Sequence, residues 1–399
     1  MKTSQHFFRS LILIILAACN PSPPAPVKPP PLTDLHSCYV PPHSYYYFHN
    51  MDKLGFQLDW IRRSGPVYPL QEPKESFTVN YTYQGQTYTL EDYYQRNAVL
   101  GFLVLKDNQI LSERYFHDSH QNSRFLSMSV QKSMTSTLFG VALEEGKIGH
   151  VEDPVTKYLP GLSESGYNRV NLKQLLIMAT GVAENESSLD PHSPMHPFNI
   201  VALHGTPSFY DYIQSLRPSP NIEPGTVFNY QSINTEVLGL VIEKATGMPL
   251  NEYMTKKLWS KIGAESDAFI FRAKKQRNQG AYGCLCATLR DYGRFGLMMM
   301  NGGTLGGTRV LNPLWIREAT TPAKYSVQPP SAGGYGYQWW VPANQDGAYQ
   351  VTGLFGQLVY INPTKHIVIV ITSAWPPSNN TERWNEMEAL VNAIASTVP

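Results

Sequence analysis

Ser129-Val130-Gln131-Lys132 is the one S-x-x-K in the chain. On a helix, a three-residue step puts two side chains on one face, a turn apart. That geometry gives a serine nucleophile a base within hydrogen-bond reach of its Oγ. The lysine can serve only if burial or nearby cations favour its neutral form. So short a pattern also arises by chance at surface helix starts, so its setting must carry the weight. Rival chemistries have no matching pattern: G-x-S-x-G, the P-loop and H-E-x-x-H are all absent from the sequence. His192 and His196 are four apart, but Pro194 between them keeps them off one helix face. No metal site and no cofactor is expected.

The elements that must position this pair are legible in part. Val130, Met134, Leu138, Val141 and Ala142 recur at helical spacing, so a helix is expected from about Ser129 to Glu145, ended by Gly146. Ahead of it, Ser76–Gln84 and Gln86–Leu90 alternate around Gly85, and Val99–Leu105 and Gln109–Phe116 flank Lys106-Asp107-Asn108. Both read as hairpins. The middle, about 150–320, reads as mostly helical, with a helix over Asn234–Ala245 ended by Gly247 and the next capped by Asn251. Strands return at Gly336–Val341, Leu358–Ile361 and Ile367–Thr372. A closing helix from Thr381 to about Thr397 carries Trp384, Met387, Leu390, Val391 and Ile394 on one side. This order predicts an α+β fold. Strands from both ends of the chain share one antiparallel sheet, the last helix packs on it, and the helical middle forms a second lobe. A cleft between sheet and lobe is where a site belongs.

Composition bounds the function. The chain has 399 residues and a net charge of +1, with 42% hydrophobic and 16% charged residues. It is long enough for a large core. It lacks the excess of basic residues that binding nucleic acid needs. Residues 1–18 read as a secretory signal: Lys2 and Arg9, then the apolar Leu11–Leu16, then Ala17 and Ala18 before Cys19. Leu16-Ala17-Ala18-Cys19 resembles a bacterial lipobox, which makes Cys19 the expected lipidation site. Seven prolines between Pro21 and Pro31 suit a semi-rigid tether. Asn20 stands where inner-membrane retention signals usually have Asp, so an envelope lipoprotein facing the periplasm, at the outer membrane, is expected. The division is then signal peptide 1–18, tether and aromatic lead-in 19–65, and domain 66–399. Membrane contact is expected through the lipid alone. Cys284 and Cys286 are too close in sequence for an easy mutual disulfide. Either Cys38 bridges to one of them in an oxidising compartment, or they are small buried residues.

Several stretches, taken in order, resemble one family. Phe125-Leu126-Ser127-Met128 leads into Ser129. Leu175-Leu176-Ile177-Met178-Ala179-Thr180-Gly181, Pro224–Ser232, Thr288–Gly296, Tyr335–Trp340 and Gly353–Gln357 follow. From about 95 to 395 the chain is similar to the serine β-lactamase-related hydrolases, which include class C β-lactamases, D-Ala-D-Ala carboxypeptidases, family VIII carboxylesterases and 6-aminohexanoate-dimer hydrolases. The wording sits nearest the nylon-oligomer-hydrolase and esterase branch. The resemblance implies a β-lactamase/transpeptidase-like fold and hydrolysis of a small ester or amide through an acyl-enzyme on Ser129. It makes Lys132 the activating partner and Tyr230 the proton relay. Ser232 stands where the family's Tyr-x-Asn has asparagine. Val351-Thr352-Gly353 best fits the Lys/His-Thr-Gly element, with its cation missing. Backbone N–H groups of Ser129 and Leu354 would form the oxyanion hole, and Ser232, Thr352, Gly353 and Phe355 would line the cleft. The competing alignment starts the third element at Leu354. Arg290 and Arg294 read as helix packing. Glu186-Ser187-Ser188-Leu189-Asp190 echoes a class A β-lactamase motif but precedes Tyr230, so it reads as chance, although the loop could line the cleft. The alternatives are a D-Ala-D-Ala peptidase or β-lactamase, and a non-catalytic peptidoglycan-binding lipoprotein.

Overall fold

The computed structural model describes residues 35–73, 76–184, 186, 209–274, 278–324, 333–343, 347–376 and 379–398. The signal segment, Cys19, the proline tether, His192 and His196 lie outside them. Five consecutive β-branched residues, Ile367-Val368-Ile369-Val370-Ile371, form the centre of the main sheet, buried on both faces. Ile367–Ser373 pairs with Val99–Lys106 on one side and Gln357–Asn362 on the other, all antiparallel. Gln109–Tyr115 closes one edge. Tyr349–Gly353, Trp340–Val341 and Gly334–Tyr335 extend the other, giving seven strands. Strands from both ends of the chain therefore share one sheet, as the sequence order predicts.

Helices pack on both faces. Thr381–Thr397 lays Met387, Leu390, Val391 and Ile394 against Phe102, Val104, Ile369 and Ile371. On the opposite face Leu289–Met300 sits close, for a reason visible in its glycines. A Cβ on Gly296 would come 2.5 Å from Val368 Cγ1, and one on Gly293 would come 2.8 Å from Leu103 Cδ2. Arg294 on this helix is buried and pairs with Asp291 and Glu265, at 2.9 and 2.8 Å. Arg290 pairs with Glu113 at 2.6 Å. Both arginines are thus spent on packing.

The second lobe is built around Val130–Glu144 and Ser232–Thr246. The first is buried almost all round, so its hydroxyls must find partners inside the protein. Ser133 and Ser136 donate to the carbonyls of Gln338 and Tyr337, and Thr135 to that of Ala281. Gln131 donates to Gly280 O at 2.6 Å and accepts from Cys284 N and Leu285 N. That side chain ties the helix to a four-stranded antiparallel sheet: Gln57–Ile61, Ala268–Arg272, Leu285–Ala287 and Phe125–Leu126.

This second sheet departs from the expected helical middle. It also draws in the lead-in that the sequence division leaves outside the domain. Cys38, Tyr39, Phe48 and Met51 are buried in the main core. Tyr39 stacks on Phe355 at 5.8 Å, and Phe48 meets the same ring edge-on at 4.9 Å. The folded unit therefore includes residues well before 66. Cys38, Cys284 and Cys286 are buried, and none is in a disulfide. Two local expectations change. Gly336–Val341 is not one strand, because Gln338 has φ 67 and breaks it. Asn251 does not cap Leu250–Met254. Pro249 holds that position, and Asn251 donates its amide to Trp60 O at 2.9 Å. Among the described residues no helix is long and apolar enough to cross a membrane.

Candidate active site

Ser129 is the N-cap of the Val130–Glu144 helix, yet its hydroxyl makes no capping bond. The preceding Met128 has φ 46, a left-handed backbone that costs a non-glycine residue of order 1 kcal/mol or more. This kink leaves the Ser129 Oγ at the mouth of a cleft of about 590 Å³. The three-residue step then does what it predicts: Lys132 Nζ lies 2.8 Å from Ser129 Oγ. Lys132 is only 1% exposed. Nζ also lies 2.9 Å from Ser232 Oγ and 3.3 Å from the Tyr282 carbonyl. Burial brings its pKa down to about 8, and the nearby Glu186 carboxylate opposes that fall.

Tyr230 approaches from the segment before Ser232–Thr246. Its hydroxyl shares a hydrogen bond with the Ser129 side chain, and burial pushes its pKa well above the usual phenol value. Its ring centre is 5.0 Å from Lys132 Nζ and stacks on Trp340 at 5.8 Å, which fixes the phenol over the serine. A neutral phenol beside a nucleophile and an amine can pass a proton to a leaving group. Tyr230→Phe is expected to lose about 10²–10⁴ in kcat on an amide, with ester turnover less affected. Steady-state kinetics on both substrates would check it, and a loss under about threefold on the amide would leave the phenol no part in proton transfer.

The Tyr349–Gly353 strand forms the opposite wall. A Cβ on Gly353 would fall 2.8 Å from Met128 Cβ and 2.9 Å from Ser129 N, so only glycine lets the strand lie this close. The contact sets Gly353, the residue before Leu354, against the Ser129 backbone. Neither the Ser129 N–H nor the Leu354 N–H has a partner among the described residues. Both are free to meet an oxyanion. The start of a helix of fifteen residues adds a favourable dipole there.

The structure brings Ser129, Lys132, Tyr230, Ser232, Thr352, Gly353 and Leu354 together on this cleft or at its base. Phe355 is a correction. It has φ 64, turns away from the cleft and is buried at 4% under Tyr39 and Phe48. Val351 points into the core, so the position that would bear the third element's cation is apolar. No Lys, Arg or His is among the described residues lining the cleft. Glu186 is the cleft residue that sequence reasoning passed over. It lines the cleft, accepts from Ser232 Oγ at 2.6 Å and accepts from Ser232 N as well. Burial raises its pKa, and the Lys132 charge and the Ser232 bonds hold that rise back. The one signal for it is Glu186-Ser187-Ser188-Leu189-Asp190, which precedes Tyr230 instead of following it.

Residues 90–392 match the Beta-lactamase family. The chain belongs to that family. It is a serine hydrolase, and its likeness to the 6-aminohexanoate-dimer hydrolase of Paenarthrobacter ureafaciens is 33% identity over 316 residues, covering 75% of this chain and 78% of that one. Two solved structures share the fold. A Bacillus anthracis protein named for the same dimer hydrolase superposes with a TM-score of 0.77 at 24% identity, covering 90% of this chain and 95% of that one. A family VIII carboxylesterase superposes with a TM-score of 0.56 at 17% identity, covering 76% and 96%. A family hydrolase with its Ser–Lys contact made is no longer well described as a non-catalytic binding protein.

Proposed function

We propose that this hydrolase cleaves short esters and linear amides of the 6-aminohexanoate-oligomer kind through an acyl-enzyme on Ser129. The observation that carries the reading is the 2.8 Å contact between Ser129 Oγ and a buried Lys132, in a cleft with no cation among its described lining residues. Neutral Lys132 takes the Ser129 proton as Oγ attacks the carbonyl carbon. The N–H groups of Ser129 and Leu354 receive the oxyanion. Tyr230 hands its proton to the departing alcohol or amine as the C–O or C–N bond breaks and takes the proton held on Lys132 in its place, so the Ser129 proton leaves with that group. Water, losing its proton to the same pair, then releases the acid and restores Ser129.

Substrate choice follows from charge. A substrate carboxylate left without a cation loses about 1.5–3 kcal/mol, or roughly ten- to a hundredfold in affinity. Val351 supplies no cation, and Arg290 and Arg294 are held by Glu113, Asp291 and Glu265. Ser232, in place of asparagine, presents no amide to a lactam side chain. Good turnover of p-nitrophenyl butyrate, measurable turnover of 6-aminohexanoate dimer and poor turnover of a chromogenic cephalosporin are expected. A cephalosporin kcat/KM above that for the butyrate would move the protein to the lactam-recognising enzymes.

The same proposal places the enzyme in the bacterial envelope, tethered through a lipid on Cys19 and facing the periplasm at the outer membrane. Supporting this are the apolar run before Ala17-Ala18-Cys19 and the prolines after it. Cys19→Ser should move the protein from the membrane fraction to the soluble periplasm. Wild-type protein that is soluble, and unlabelled by a palmitate analogue in cells, would end the anchor reading.

A further inference from the structure

Counting protons around Lys132 gives Glu186 a role. Nζ faces three oxygens: Ser129 Oγ, Ser232 Oγ and the Tyr282 carbonyl. As an ammonium it fills all three. As a neutral amine it has two protons and one lone pair. The carbonyl can only accept, so it takes one proton. The other proton and the lone pair must be divided between the two serines. If Ser232 pointed its hydroxyl proton at Nζ, the lone pair would be used there and Ser129 would receive a proton instead of giving one. Ser232 Oγ, however, lies 2.6 Å from Glu186 Oε1. With Glu186 as an anion, which can only accept, the single Ser232 proton goes to it.

We infer that Glu186 is a positioning residue: by holding the Ser232 proton it makes Ser232 accept from Lys132, and so leaves the Lys132 lone pair to Ser129. This inference rests on the acyl-enzyme reading of Ser129 and Lys132. The carboxylate is itself fixed, since its second oxygen accepts the Ser232 N–H at the start of a fifteen-residue helix, where the dipole favours an anion. Burial raises the pKa of each of the other acids around the pair. Glu184, beside Glu186, is pushed up to about 8 by burial and by that carboxylate, and neither of its carboxyl oxygens has a partner among the described residues. Burial likewise raises Tyr230, Tyr282 and Cys284 around Lys132, and Tyr167 and Tyr212 near the glutamates. Glu236, behind Cys284, is pushed up to about 8 by burial.

Glu186→Gln keeps the shape, removes the charge and can offer Ser232 an N–H instead of an acceptor. Its pH profile of kcat/KM on p-nitrophenyl butyrate should show two changes. The high-pH plateau should fall about ten- to a hundredfold, the span seen for orienting partners, with KM within about threefold. The apparent pKa should drop by about one unit or more, because an amine without a facing anion loses its proton more easily. In Ser232→Ala, adding Glu186→Gln should cost no further plateau rate, since the two residues act as one unit. A wild-type plateau and pKa in Glu186→Gln, or losses that multiply in the double variant, would overturn the inference. If Glu186→Gln does not melt cooperatively, Ser232→Ala decides alone: a fall in kcat at constant KM supports the relay, and wild-type kcat removes it. Fluorophosphonate capture at Ser129 in the wild type tests the underlying reading separately, so the two failures are distinguishable.

Discussion

Ser129→Ala should abolish turnover of every ester and amide in the panel and end labelling by a fluorophosphonate, while the protein still melts as the wild type does. The fold should not notice the change. The Ser129 hydroxyl caps no helix N–H, and its contacts are to Lys132 and Tyr230. The residual rate should be that of the cleft alone, lower by several orders of magnitude. Stoichiometric labelling of the variant would mean that another serine is the nucleophile. Among the described residues Ser232 also meets Lys132 Nζ, at 2.9 Å, but its hydroxyl is bonded to Glu186; Ser133 and Ser136 lie on the Val130–Glu144 helix, but their hydroxyls are donated to carbonyls in the core.

Lys132→Ala should be nearly as damaging, by at least about 10³-fold in kcat/KM, because it removes the base and leaves Ser129 with a high-pKa hydroxyl. The wild type should carry the signature of this lysine in its pH profile. Burial brings Lys132 down to about 8, and the active form is the neutral amine. Activity should therefore rise with pH, about tenfold per unit below 8, and level off above it. The same shift has a stability side. The folded-state pKa lies below that of the unfolded chain, so burying a charged Lys132 costs folding energy at neutral pH. That cost begins to fade as pH rises past about 8 and is gone above the ordinary lysine value of 10.5. A pH–rate profile flat from 6 to 9 would take Lys132 out of the role of base, whatever the Lys132→Ala rate.

The sequence shows most of what lies close together along the chain and little of what meets across it. Both hairpins, the Val130–Glu144 helix and the closing helix are set by local periodicity, and they stand within a residue or a few of where that periodicity puts them. Ser129 and Lys132 are one turn apart, so their contact is local as well. Glu186 and Ser232 are 46 positions apart. Nothing near either residue reveals that a carboxylate is waiting for the hydroxyl. The four-stranded sheet was hidden for a related reason. Leu285–Ala287 and Phe125–Leu126 are too short to show a period of two, and Gln57–Ile61 finds its partner strand more than two hundred residues later. Phe355 misleads because residues 354–356 form a turn, so neighbours in sequence face opposite ways. Leu354 faces the cleft, while Phe355 faces Tyr39.

That last arrangement matters to anyone who wants to make the enzyme in soluble form. A truncation at residue 66 looks natural on paper, since it removes everything resembling a leash. It would also shear an outer strand from the smaller sheet and pull two rings from beneath Phe355, leaving the turn that presents the Leu354 N–H free to sag away from Ser129. The cut belongs in the narrow window after Pro31 and ahead of Cys38. The stretch that looks like a leash also serves as the wedge under the turn proposed to receive the oxyanion, so a protein trimmed too far could fold, bind and still be a poor catalyst.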